Sequence, residues 1–267
     1  MKIEKLNSSF ITHTGRKNFM TLSILMVIIA LGLTASAQPM EGKIRYLVTH
    51  NWAKKLQAVE YLSKEQRDRV TYMWGNRSEW KEFTEIYFTP GKTKYQDSEE
   101  RAEPDDDGFS WRMDEYAINR NFNDMTIFDI IKLLGKVYII EDTLRPQSWK
   151  ILNDIKDVAG HICMNAYWVD TLKQQKVTAW FAMDMPVSGG PERFCGLPGM
   201  ILEVDVNDGA MLITADKIEM KSLTTEMDLP KKIKGKRIHE DDYFRILKKH
   251  MDDRKEAEQP PFWGVRY

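Results

Sequence analysis

Residues 161–183 read HICMNAYWVDTLKQQKVTAWFAM, two aromatic and apolar runs on either side of a polar stretch, and their alternation decides the fold. Ile162, Met164, Ala166 and Trp168 alternate with Cys163, Asn165, Tyr167 and Val169. A period of two places each set on one face of a strand, and with both sets largely apolar the strand is expected to be buried on both faces. Val177, Ala179, Phe181 and Met183 repeat the pattern against Thr178, Trp180, Ala182 and Asp184, with a hairpin expected over Asp170 to Gln175. Further on, Met200–Val206 and Met211–Ile218 flank Asn207-Asp208-Gly209, whose Asp-Gly pair supplies the positive φ of a tight hairpin turn.

Working outward, the same signals recur upstream. Ile44, Tyr46 and Val48 alternate with Lys43, Arg45, Leu47 and Thr49, the pattern of a half-buried strand. Short aromatic or β-branched runs at Arg69–Trp74, Trp80–Thr89, Lys92–Gln96, Phe109–Asn119, Phe122–Ile127, Val137–Ile140 and Trp149–Leu152 are punctuated by Gly, Asn, Asp or Pro. Lys54–Arg67 lacks Gly and Pro and spaces Leu56, Val59, Tyr61 and Leu62 as a short helix does. At the other end, His239–Glu258 sets Tyr243, Leu247 and Met251 on one helical stripe, stopped by Pro260 and Pro261. The expected class is α+β: a mainly antiparallel, curved or half-barrel sheet with one short N-terminal helix and one C-terminal amphipathic helix.

Composition narrows the function. The 267 residues are 30% charged and 42% hydrophobic with a formal net charge of -1, so a globular chain is expected with no bulk pull toward nucleic acid. Two cysteines exclude a disulfide-dense scaffold, a four-cysteine zinc site and a multi-cysteine iron–sulfur cluster. Lys2, Lys5, Arg16 and Lys17 precede an apolar run from Leu22 to Leu33 and the small residues Ala35-Ser36-Ala37. This is the pattern of a signal peptide, 1–37, cleaved after Ala37, with Met20 an alternative start. The run is shorter than the roughly 18 residues of a membrane-spanning helix, so no stable membrane insertion is expected after cleavage. Residues 38–267 then form a single domain in the periplasm or secreted. The acidic stretch Ser98–Gly108 reads as a solvated loop, since Asp105, Asp106 and Asp107 are consecutive where a calcium loop alternates its carboxylates.

Residues 179–202, AWFAMDMPVSGGPERFCGLPGMIL, form a loop with two irregular points. Pro198 presets φ and Gly199 offers positive φ, the signature of a type II turn feeding Met200 and Ile201 into a strand. Gly189, Gly190 and Pro191 give the second point, so an Ω-like crossing is expected. No Lys-Ser or Lys-Thr follows these glycines, which excludes a phosphate loop. The stretch resembles the GLPGLI family of exported Bacteroidetes proteins, whose motif stands here as Gly196, Leu197, Pro198, Gly199, Met200 and Ile201. The family's aromatic strand, Met-Pro step and Gly-Pro pair stand as Trp180, Phe181, Met185, Pro186, Gly190 and Pro191. Its Gly-Tyr-x-Cys-x-Lys-Ala strand stands as Gly160, His161, Cys163, Asn165 and Ala166, with His161, Asn165 and Met200 departing from the pattern. The resemblance is strongest over 149–220. It implies an exported envelope protein without an assigned reaction and a link to outer-membrane transport.

Candidate chemistry is sparse. Cys163 and Cys195 in an exported chain can pair, and a bridge closing about 33 residues would stabilise by ~3–4 kcal/mol; free thiols are the alternative, because strand register decides whether the Cβ atoms meet. A cysteine hydrolase would need Cys195 as nucleophile and His161 or His239 as base. Soft-metal binding would draw on His161 and Cys163, with Met164, Met183 and Met185 nearby in sequence, and copper as the metal. There is no GxSxG or HExxH. With eight tryptophans, the reading that remains is a non-catalytic envelope protein, without cofactor, whose aromatic sheet holds an apolar ligand or a protein partner.

Overall fold

The structure, a computed structural model, describes residues 40–74, 79–102, 116–229, 232–262 and 264–266. The leader, Met20, the Asp105–Asp107 loop and the 109–115 part of an expected strand lie outside them. Within the compact unit Met40–Tyr267, β1 (Gly42–Asn51) leads to helices α1 (Trp52–Gln57) and α2 (Lys64–Trp74). There follow β2 (Glu79–Thr89), β3 (Lys92–Asp97), β4 (Tyr116–Asn121), β5 (Thr126–Leu133), β6 (Lys136–Thr143), β7 (Lys150–Val158), β8 (His161–Asp170) and β9 (Gln175–Ala182). After a long loop come β10 (Met200–Val206), β11 (Met211–Met220), β12 (Lys236–Ile238) and α3 (Glu240–Glu256).

The twelve strands of the described residues join one sheet in the order β12-β6-β5-β4-β3-β2-β1-β11-β10-β9-β8-β7. Every pairing is antiparallel except β12 with β6. The sheet is not closed, yet it must curl. β6 and β7 are consecutive in sequence but lie near opposite ends of the strand order, and the connection 144–149 reaches only about 20 Å when fully extended. That tether draws the β7 edge round toward β6. Period two then assigns the concave lining: Ile44, Val48, Ile86, Phe88, Tyr95, Phe181, Ile201 and Ile213 are all buried in one core.

Several expectations are corrected. The single N-terminal helix is two, because Ser63 and Gln66 form a reciprocal capping box, Ser63 N–H to Gln66 Oε1 at 2.7 Å and Gln66 N–H to Ser63 Oγ at 3.1 Å. The new start carries the chain helically through 69–74, expected as a strand; Thr71 satisfies its hydroxyl on the Arg67 carbonyl one turn back. Phe122–Met125 is a turn rather than the start of a strand, since Asn121 Oδ1 accepts the N–H groups of Asn123 and Asp124 and Met125 takes φ 51°. Strand β8 is not buried on both faces: Ile162 is 64% and Val169 51% exposed, and β8 lies next to the edge strand β7. The β8–β9 hairpin and the Asn207-Asp208-Gly209 turn form as expected, the latter with φ 52°, 52° and 90°.

The motif loop, 183–199, returns across the concave face from β9 to β10, which already pair side by side. Its Pro-Gly corner works differently from the expected type II turn. Positive φ falls on Gly196, at 94°, and not on Gly199. Gly199 is needed for space: a Cβ there would sit 2.1 Å from the Ala182 carbonyl oxygen. Gly199→Ala is expected to cost about 1–3 kcal/mol through this overlap, read as a lower urea midpoint with unchanged slope; an unshifted midpoint would show that the crossing has slack.

Candidate functional site

The inner face of the sheet is apolar at its centre and charged toward β2–β5, where the period-two rows place Glu82, Asp97, Arg120 and Asp129 inward. The loop answers these with two consecutive residues of opposite sign. Glu192 takes φ 54°, a left-handed conformation that costs a non-glycine residue roughly 1 kcal/mol or more. Its carboxylate accepts from Tyr95 Oη at 3.0 Å and from Tyr116 Oη, and pairs with Arg266 Nε at 2.7 Å. Arg266 also meets Asp97 at 2.7 Å and stacks over Tyr116 at 3.8 Å. Arg193 reaches the other way, to Asp129 at 3.3 Å and to Glu240 at the start of α3, while its guanidinium lies over Tyr243. Asp129 holds Arg120 on its other side.

Burial and charge set the titration of this seam. Burial works against the charge of Arg193 and of Arg266, but Asp129 beside the first and Glu192 and Asp97 beside the second outweigh it and hold both guanidiniums above the usual range. Burial and then the Glu192 carboxylate raise the Tyr95 and Tyr116 hydroxyls well above theirs. Asp129 is fully buried between two arginines, so Asp129→Ala is expected to cost about 3–5 kcal/mol by leaving cations without a counter-charge, measured as loss of unfolding free energy in urea.

A cavity of about 530 Å³ opens beside the seam. Its walls come from β4 and β5, the 144–148 connection, the end of β8, the β8–β9 hairpin, loop residues Glu192 to Cys195 and the 240–247 face of α3. The cavity therefore lies where the curled sheet fails to close. Trp168 and Phe194 line it, backed by Trp149 at 6.2 Å from each ring. The loop is pinned there by Trp149 Nε1–H to the Cys195 carbonyl at 2.8 Å, by Gln147 Nε2 to the Arg193 carbonyl at 3.0 Å and by Cys195 N–H to Gln147 Oε1 at 3.0 Å.

The residues singled out in the sequence divide sharply. Gly190, Pro191, Leu197, Gly199, Met200 and Ile201 are buried scaffold, Gly196 and Pro198 are exposed at the corner, and Cys195 alone of these singled-out residues lines the cavity. Cys163 and Cys195 are both free, so the possible disulfide is not formed. They sit in different surroundings: Cys163 donates to the His161 carbonyl at 3.6 Å on β8, whereas Cys195 faces Arg120 and Arg193. His161 is engaged with Asp184 at 2.8 Å and His239 with Asp142 at 3.7 Å, so neither imidazole serves Cys195. No cluster of three or more His, Cys, Asp or Glu able to hold a metal occurs among the described residues. Trp168 belongs to the aromatic set read from the sequence as a ligand-holding sheet, whereas Glu192, Arg193 and Phe194 carry no such mark, and the Glu-Arg-Phe run between two glycine corners is their available signal.

Both thiols are poor nucleophiles. Burial pushes Cys163 up to about 11 and raises Cys195 as well, Arg120 only partly opposing. A raised pKa means less thiolate, so at pH 8 native alkylation of Cys163 by iodoacetamide should be slower than in urea by roughly a hundredfold or more. Intact mass should not change with reductant; a shift of two mass units would restore the disulfide.

A Bacteroidetes-associated family described as "Protein of unknown function (Porph_ging)" matches residues 168–203. The match covers the β8–β9 hairpin, the motif loop and the start of β10, and is compatible with the GLPGLI resemblance. A search of curated proteins finds no match. Two solved structures of PNGF-II, in two different crystal forms, align at TM-score 0.50 and 12% identity, over 78% and 82% of this chain and 33% of theirs. The chain thus spans about one third of the length of the PNGF-II structures, and at this identity the likeness is one of fold. An uncharacterized conserved protein from Thermus thermophilus aligns at TM-score 0.35 and 6% identity, over 82% of this chain and 99% of its own.

Proposed function

We propose that this chain is an exported, non-catalytic binding or accessory component of the cell envelope, and that its ligand occupies the cavity between the sheet ends. The observation that carries the reading is a cavity of about 530 Å³ with an aromatic wall and a charged wall whose arginines are already engaged by carboxylates. A site of this size and mixed lining suits a small organic molecule. Catalysis by Cys195 is disfavoured, because its buried thiol has no imidazole partner among the described residues. Export rests on the basic, then apolar, then Ala-x-Ala order of the first 37 residues. No helix of the described residues is long and apolar enough to cross a membrane. The GLPGLI resemblance supports an envelope setting and a connection to outer-membrane transport.

Two measurements test this. Fractionation followed by N-terminal sequencing should recover a periplasmic or secreted chain beginning at Gln38; recovery from cytosol with the leader intact would overturn export. N-phenyl-1-naphthylamine, a neutral apolar fluorophore, should brighten on binding. Ser148→Trp, which plugs the rim from an exposed position, should weaken that binding about fivefold or more (~1 kcal/mol) with an unchanged melting temperature, and equal binding would place the fluorophore elsewhere.

A further inference from the structure

The β8–β9 hairpin puts two polar side chains, Lys173 and Gln175, on the wall that the large cavity shares with a smaller pocket beside α1. Gln175 is 7% exposed, and among the described residues its carboxamide makes no hydrogen bond. With no protein partner among these residues, its donors and acceptor face the cavity and are open to a ligand or solvent there. The Lys173 ammonium has three donors and a single long contact, 3.4 Å to the Arg266 carbonyl, with no carboxylate in ion-pair distance among the described residues. The hairpin holds both in place. Asp170 Oδ1 accepts the N–H groups of Leu172 and Lys173 at 2.9 and 3.0 Å, Gln174 takes φ 54°, and Asn207 Oδ1 accepts the Lys176 N–H at 2.8 Å.

The charge of the rest of the wall defines what this pair can take. Arg120, Arg193 and Arg266 are each engaged by Asp129, Glu192, Glu240 or Asp97, and Arg145 by Asp142, Glu240 and Asp241. Lys55 in the neighbouring pocket contacts His50 Nδ1 at 2.7 Å and lies over Trp52. What Lys173 offers is one positive charge, which burial works against and the nearby Asp170 and Glu192 support, so a dianion would in addition face those two carboxylates. The apolar part of the wall is Trp168, Phe194, Phe244 and Leu247, and Lys132, Gln147, Ser148 and Thr171 line it as well.

We infer that the cavity binds an aromatic monocarboxylate, its carboxylate on the Lys173 ammonium and the Gln175 carboxamide and its ring among Trp168, Phe194 and Phe244. This rests on the binding role proposed above and specifies its ligand class. The test is titration calorimetry with two shape-matched probes, naphthalene-1-acetate and its neutral analogue naphthalene-1-acetamide. The acid is expected to bind the native chain about tenfold more tightly than the amide. Lys173→Met should bring the two to equal affinity while Lys173→Arg keeps the preference, and unchanged circular dichroism and melting temperature would confirm that both variants fold. Equal affinities in the native chain, or a preference untouched in Lys173→Met, would overturn the carboxylate assignment and leave the cavity as a binding site. Failure of both probes to bind would overturn the ligand class and the cavity reading together.

Discussion

The covalent tether between β6 and β7 is the constraint from which the rest of the structure follows. A twelve-stranded sheet, antiparallel but for β12, could lie open, but strands near its opposite ends are joined by a connection too short to span it. The sheet must curl, and a curled sheet that does not close leaves a gap at its seam. Leu144 to Ser148 of the tether line that gap. The cavity is thus a consequence of topology, and its size depends on what else enters from the side.

What enters is the motif loop, and its course explains why a charged seam is tolerated inside a β-sheet body. Buried ions are costly unless each finds a counter-ion with hydrogen bonds to spare. Glu192 and Arg193 meet that demand by pointing opposite ways from adjacent positions, one to the tyrosines and Arg266, the other to Asp129 and Glu240. The left-handed backbone at Glu192 is the local cost of that divergence. Glycines on either side let the loop lie close to the sheet: Gly190 against Ile201 and Gly196 against Pro146. The Gly-Leu-Pro-Gly element is accordingly scaffold, and the residues it delivers to the cavity are those just before it.

Much of the fold was legible because period-two alternation is a local signal. The β8–β9 and β10–β11 hairpins, strands β1 to β3 and the α3 stripe of Tyr243 and Leu247 appear at the positions their patterns imply. The misreadings were also local: Ser63 and Gln66 cap a helix, which overrides the β-branched and aromatic residues of 69–74, and Asn121 folds the next residues into a turn. The short parallel strand β12 carries no periodic signature, since three residues pairing with β6 are defined only by their partner. The site was hardly legible at all. Cys195 stood out by residue type, whereas Glu192, Lys173 and Gln175 look like ordinary surface residues until the hairpin and loop are folded inward.

By itself, then, the chain order of apolar and polar residues determined the class of fold, the hairpins, the terminal amphipathic helix and the absence of a recognisable catalytic motif, all properties of neighbours within a few residues. Tertiary structure alone decided that the sheet curls around a cavity, that the two cysteines stand in separate environments and that charges from six separate segments neutralise one another. Those outcomes depend on contacts between residues far apart in the chain, and such contacts are set by strand order and loop reach, which no local pattern encodes.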